Sequence, residues 1–239
     1  MIGRVGVWTA LAIVGIAAAV LVDAFVFPSP PSPRRPSNNT PIDKTVGIAS
    51  PLYAGTPFPD QVVVLEGGRR STLSMTGSYL RFKKVLFATI NIYEVASYVV
   101  DRPTGSTEEM LEAIWRDDGK KVYLLRFLFS IPGWELRQAI HDEMARSFHD
   151  VSIDDHKEEL DRLRTAFGTG AAAGDVFYLV RLPGNRIYLG VRNEKDLSLV
   201  TTSPPLARAI WRMWAGPTAE PGRAGLVKAL EASAASVDK

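Results

Sequence analysis

No cysteine occurs among the 239 residues, so disulfides and thiolate metal sites are excluded. Only three histidines are present, His141, His149 and His156, and three scattered imidazoles make a poor ligand set, so no metal or other cofactor is expected. Charge of one sign is also lacking. Lys and Arg number 28 against 26 Asp and Glu, and the resulting net charge of +2 argues against a nucleic-acid partner. There is no internal repeat. What remains, 46% hydrophobic and 23% charged, is globular composition for one domain with appendages.

The first appendage is apolar. From Val5 to Val22 eighteen residues carry no charge, and Asp23 precedes Ala24-Phe25-Val26-Phe27. Such a run is long enough to cross a bilayer as a helix. A signal peptide cleaved near Val22-Asp23-Ala24 is the competing reading, but the run exceeds the ~7–15 residues of a typical signal core. Residues 1–27 are therefore read as an uncleaved transmembrane anchor, which places the remainder of the chain on the periplasmic or extracytoplasmic side of a membrane. Secretion after cleavage is the alternative. Residues 28–45 hold six prolines between Pro28 and Pro41, together with serines and asparagines, and read as an extended tether.

A folded domain is expected over 46–235. Gln61-Val62-Val63-Val64-Leu65 and Ser71-Thr72-Leu73-Ser74-Met75 read as short strands joined by Glu66-Gly67-Gly68-Arg69-Arg70. Thr76-Gly77-Ser78 punctuates as the turn of a central hairpin. Val85 to Val100, without proline or glycine, then reads as one long strand, with Thr89, Asn91 and Tyr93 alternating onto one face. Ser106-Thr107-Glu108-Glu109 has the form of a capping box for a helix burying Met110, Leu111 and Ile114. Lys120–Phe129 reads as a strand, and helices are expected over 134–148, with Trp134, Ile140, Met144 and Phe148 near one stripe, and over 156–167. Strands at 175–182 and 186–192 turn at Pro183-Gly184-Asn185, a short strand comes next, and helices over 206–215 and 223–234 close the domain. Hairpin connections rather than alternating crossovers make the fold class α+β, an antiparallel sheet packed by helices.

Gly77-x-x-Leu80-Arg81, the run to Tyr93, Ala96-x-Tyr98-Val99 beyond it and Ile210-Trp211-x-x-Trp214-Ala215-Gly216-Pro217 together resemble the motifs of the chalcone isomerase-like family. The resemblance covers about residues 58 to 230 and is closest to bacterial members. It implies an open-faced β-sandwich and one of two functions. One is non-catalytic binding of a fatty-acid-like amphipathic ligand; the other is an isomerase, an intramolecular lyase cyclising a chalcone-like substrate. Read alone, Arg81 is a solvated edge charge more readily than a ligand. The family's arginine at this position holds a negative oxygen, a task suited to the paired donors of a guanidinium.

Other positions of a plant-type isomerase site map less well. Its strand threonine falls on Ala88, with Thr89 adjacent and facing away; its helical tyrosine and asparagine fall on Trp134 and His141; its second threonine falls on Met213. The expected ligand-binding set is thus Arg81, Thr89, Asn91, Tyr93, Trp134, His141 and Met213, with Arg81 and His141 as the catalytic pair of an enzyme. With these hydroxyls missing, binding without catalysis is the preferred reading. An envelope scaffold without a ligand is the third.

Overall fold

A computed structural model describes residues 46–49, 57–85, 88–148, 152, 154–191, 197–217 and 221–237. The expected anchor and tether lie outside these, and among the described residues no helix is long and apolar enough to cross a membrane. The chain divides into two compact units, Met1–Thr40 with Lys84–Ile90, and Pro41–Lys83 with Asn91–Lys239. Of the first unit, the described residues are the last of one strand and the first of the next, with Thr89 exposed. The second unit holds all the other described residues.

Among the described residues, eight strands form one sheet in chain order: β1 (Val46–Ile48), β2 (Gln61–Glu66), β3 (Arg69–Val85), β4 (Ala88–Val99), β5 (Lys121–Phe127), β6 (Val176–Leu182), β7 (Arg186–Gly190) and β8 (Ser198–Thr201). The β1–β2, β2–β3, β4–β5, β5–β6, β6–β7 and β7–β8 pairs are antiparallel. Gly67 and Gly68, at φ 53° and 78°, make the two-residue β2–β3 turn, and Gly184 and Asn185, at 79° and 58°, make the β6–β7 turn. Those left-handed dihedrals favour glycine and asparagine, which is why both turns are readable from sequence.

The central hairpin differs from expectation. Thr76-Gly77-Ser78 is not a turn but the middle of β3, which runs on to Val85; β4 begins only at Ala88. Thr76 is fully buried, and its hydroxyl donates to the carbonyls of Ser97 at 3.2 Å and Leu226 at 2.5 Å. Gly77 is required because a 3₁₀ segment, Pro221–Val227, crosses the strand there: a Cβ on Gly77 would overlap the carbonyl oxygen of Gly225. Absence of a side chain serves close approach rather than a bend.

Among the described residues, five α-helices accompany the sheet: α1 (Thr107–Arg116), α2 (Gly133–Ser147), α3 (Lys157–Phe167), α4 (Pro204–Ala215) and α5 (Lys228–Val237). Ser106 and Glu109 cap α1 reciprocally, as their spacing predicts, with Ser106 N–H donating to Glu109 Oε2 at 2.7 Å. On α2 the buried stripe is Leu136, Ile140, Met144 and Ser147; Trp134, expected on it, is 67% exposed. Its position at the second residue of the helix puts it out of phase with that stripe. The last helix also starts later than expected, residues 223–227 belonging to the 3₁₀ segment.

Alternation along β5 and β6 divides two apolar layers. Tyr123, Leu125, Phe127, Phe177 and Leu179 meet the helices, in one cluster with Leu111, Leu160, Phe167, Ile210 and Trp211. Val122, Leu124, Tyr178 and Val180 turn the other way and pack with Val46, Val62, Val64 and Leu73 of β1–β3. Strands distant in sheet order therefore share a core, so the sheet curls. Glu66 of β2 fastens the curl by accepting from Arg186 of β7 at 2.6 Å and Lys120 at 2.8 Å. With both faces covered, β6 is buried at every residue, which explains its unbroken apolar sequence.

Candidate ligand-binding site

After the Thr76 anchor, Tyr79 and Arg81 alternate onto the same side of β3. Tyr79 is buried in the helix-side core and Arg81 is half-buried, with its Nη1 wholly enclosed. Across the sheet, β4 supplies Tyr93, half-buried as a residue but buried at its hydroxyl end, which accepts from Trp214 Nε1 at 3.3 Å. Phe127 of β5 lies 5.6 Å from the Tyr93 ring. Tyr123 stacks on Trp211 at 4.4 Å and meets Trp214 edge-on at 5.6 Å. Tyr79, Tyr93, Tyr123 and the α4 indoles thus form an aromatic cluster gathered from three strands and a helix, and the charge of Arg81 reaches Tyr79 and Tyr93.

Electrostatics ties these groups together. Burial pushes the Tyr79 hydroxyl well up and the Tyr93 hydroxyl up, while the positive charge of Arg81 pulls both back and the Glu143 carboxylate of α2 pushes both further. Both phenols are therefore neutral at physiological pH and act as donors, not bases. Tyr123 is also pushed well up by burial, and neither its hydroxyl nor Trp211 Nε1 has a hydrogen-bond partner among the described residues. Such orphaned groups each cost about 1–3 kcal/mol, so the cluster is assembled at the expense of stability. Chemically, it can hold an anionic head on Arg81 with neutral hydroxyls as further donors.

The expected site residues are only partly brought together. Arg81 and Tyr93 share the cluster, and Met213 is buried in the same core layer. Asn91 is exposed, and Thr89 belongs to the other unit. Trp134 and His141 line a separate shallow surface cavity with Arg137, Gln138 and Arg164, where Arg164 Nη2 lies 3.3 Å from His141 Nδ1. Sequence reasoning misses Tyr79, Tyr123, Trp211 and Trp214. The signal available for them is the two-residue spacing from Tyr79 to Arg81 along a strand and the three-residue spacing of the tryptophans on one helix face.

A buried pair of cations has another task. Lys121 and Arg181 sit directly opposite each other on β5 and β6, 4% and 1% exposed. Lys121 Nζ donates to the carbonyls of Ala113 at 2.7 Å and Ile114 at 2.8 Å, and Arg181 Nη1 to that of Trp115 at 3.1 Å. These carbonyls lie at the C-terminus of α1, where positive charge is favoured, and that of Ala113 also accepts from the Asp117 N–H at 3.1 Å. Burial, with Arg181 adjacent, pushes the Lys121 amine down to about 7.

The α+β fold, an antiparallel curled sheet with helices, resembles the chalcone isomerase-like fold. One solved structure similar to it is that of an Arabidopsis thaliana fatty-acid binding protein, with a TM-score of 0.52 and 16% identity over 66% of this chain and 88% of that one. At that identity the likeness concerns the fold alone. No protein-family model matches the chain. No curated protein matches it either.

Proposed function

We propose that the domain binds an amphipathic carboxylic acid of the fatty-acid type, without transforming it, with the carboxylate on Arg81. The observation that carries this reading is the place of Arg81 on the same side of β3 as buried Tyr79, with its charge acting on the Tyr79 and Tyr93 phenols, which stay protonated and can donate. An anion satisfies a cation and neutral hydroxyls together. The fold's likeness to a plant fatty-acid binding protein supports it further.

Titration calorimetry of the full chain with palmitate tests the reading. Replacing Arg81 by alanine leaves the carboxylate without its charged partner, a loss of ~2–5 kcal/mol if the pair is desolvated, so affinity falls at least tenfold; Arg81→Lys restores part of it. Unchanged palmitate binding in Arg81→Ala removes Arg81 from the site. Chalcone loss followed by absorbance should stay at background, because the phenols are not bases near neutrality and Met213 offers no hydroxyl. Turnover that vanishes in Arg81→Ala would instead make the protein an isomerase with Arg81 stabilising the oxyanion.

The uncharged run Val5–Val22 supports a membrane tether for this domain, on the extracytoplasmic side. Membrane fractionation with N-terminal sequencing is the check. Soluble chains beginning near Phe25 would show a cleaved signal.

A further inference from the structure

Six large apolar side chains are exposed among the described residues, and three of them share one place. Leu80 and Phe82 alternate onto the side of β3 that faces away from Tyr79 and Arg81, and Phe82 is 48% exposed. Two strands over, Leu128 follows the last residue of β5, and its N–H donates to the carbonyl of Ile92 at 2.9 Å, one step beyond the paired Tyr93 and Phe127. Because Tyr93 and Phe127 pack on the helix side, the half-buried Ile92 and the exposed Leu128 turn to the other side, that of Leu80 and Phe82. β3, β4 and β5 are neighbours in the sheet, so these four residues make one apolar face at the end where β3 finishes and β4 begins.

The buried layer on that side of the sheet stops short of this face. Two residues further in, Glu94 and Arg126 pair across β4 and β5 at 2.9 Å, and the Arg126 guanidinium lies 4.6 Å over the ring of Phe58, which packs on that layer. A lone exposed leucine is ordinary; apolar side chains adjoining on three strands beyond a polar border mark a surface that meets something.

Charge and size narrow what covers it. From Gly67 to Tyr93 the sequence carries five cations, Arg69, Arg70, Arg81, Lys83 and Lys84, and no carboxylate. Lys83 is exposed next to Phe82. A second copy docked here about a two-fold axis would set these cations against their equivalents, and four apolar residues fall well short of the roughly 20–30 per partner of a stable interface. An anionic bilayer suits both features: its boundary accepts a few apolar and aromatic side chains, and its headgroups attract the lysine beside them. The apolar run Val5–Val22 stands only a short tether ahead of Val46, so even weak attraction seats the domain.

We propose that the face formed by Leu80, Phe82, Ile92 and Leu128, with Lys83 at its border, docks on an anionic lipid bilayer. The inference rests on the membrane tether proposed above for nearness to the bilayer, and goes further in fixing which end of the domain meets the lipid. β3 then carries the lipid contact on one side and Arg81 on the other, so an amphipathic acid leaving the bilayer emerges beside its binding site.

The lack of native cysteine gives a clean test. Phe82→Cys, Leu128→Cys and, beyond the far end of β4, the exposed Thr104→Cys are each labelled with an environment-sensitive fluorophore on the full chain in phosphatidylcholine vesicles, with and without phosphatidylglycerol. The first two labels, not the third, should shift to the blue and be quenched by nitroxides on the lipid chains, more strongly with phosphatidylglycerol. Lys83→Gln should reduce the phosphatidylglycerol effect about fivefold, the weight of one lysine near such a surface, and Leu80→Glu should abolish quenching at Leu128→Cys. The proposal is overturned if all three labels are quenched alike or none is. It is also overturned if a bismaleimide joins two Phe82→Cys chains while lipid quenching is absent, which would give the face to a second copy. Circular dichroism and palmitate affinity, both expected unchanged in Leu80→Glu, separate lost docking from a lost fold or a failed acid site. Should the mature chain begin near Phe25, that chain is added to the same vesicles from solution with the same expectations, so a failed tether and failed docking are read apart.

Discussion

Two sets of enclosed cations, at Arg81 and at Lys121 with Arg181, are held in the same sheet by opposite means. Lys121 and Arg181 face carbonyl oxygens at 2.7–3.1 Å, fixed acceptors at the C-terminal end of α1. Arg81 faces phenols that are themselves donors, and its charge shifts their titration. Lys121 and Arg181 serve the end of α1, whereas the charge of Arg81 acts on neutral phenols. A buried cation is thus read by the polarity of its surroundings, not by burial alone.

Breaking the first arrangement should cost the most. In Lys121→Met, the carbonyls of Ala113 and Ile114 lose the Lys121 donor, Ala113 keeping that of the Asp117 N–H, and stability should fall by about 2–4 kcal/mol in urea unfolding while palmitate affinity per folded molecule stays constant. If stability is unchanged, the α1 carbonyls do not depend on Lys121.

The pH dependence sharpens the same point. With the Lys121 amine near 7 in the fold and at its usual 10.5 in the unfolded chain, the unfolded state holds more protons between those values. Stability therefore rises with pH from about 7 towards 10.5. Tyr79 and Tyr123 are pushed well above their usual 10.0, so the fold retains protons that the unfolded chain loses, and stability falls again beyond about pH 10. Lys121→Met should flatten the rising limb and leave the falling one. A wild-type curve that is flat between about pH 7 and 10 would contradict the first half of this prediction.

At Arg81 the cost should move from stability to binding. Arg81→Ala is expected to change unfolding free energy by less than about 1 kcal/mol, within the range of substitutions at incompletely buried positions, while lowering palmitate affinity at least tenfold. A large stability loss with intact affinity would reverse the assignment of roles. The smallest effect belongs to Tyr93→Phe. It removes the acceptor of Trp214 Nε1, about 0.5–1.5 kcal/mol in thermal unfolding, and one donor to the bound acid, a severalfold loss of affinity.

Features settled by neighbouring residues were legible in the sequence. The Gly67-Gly68 and Gly184-Asn185 turns, the Ser106–Glu109 cap and the apolar run of β6 all appear where the pattern puts them. Gly77 misleads because a glycine announces either a turn or a place where another backbone comes close, and what comes close here is Gly225, far along the chain. Trp134 misleads because the first turn of α2 precedes the phase of its buried stripe. At the candidate site, Arg81 and Tyr93 can be named from motif and alternation. Tyr123 and Trp211 cannot be joined, since their stacking depends on how α4 lies against β5.

The bond from Thr76 to Leu226 spans 150 residues. For a chain leaving the ribosome from its N-terminus, β3 is made early yet cannot be sealed until the segment around Leu226 has emerged, because Gly77 and Thr76 are shaped to receive that segment. Closing so long a loop is slow, and until it closes the helix side of the sheet stays open around Tyr79. The nascent protein must therefore wait as an unfinished sheet. Until the loop closes, such a chain depends on chaperones to cover its apolar face.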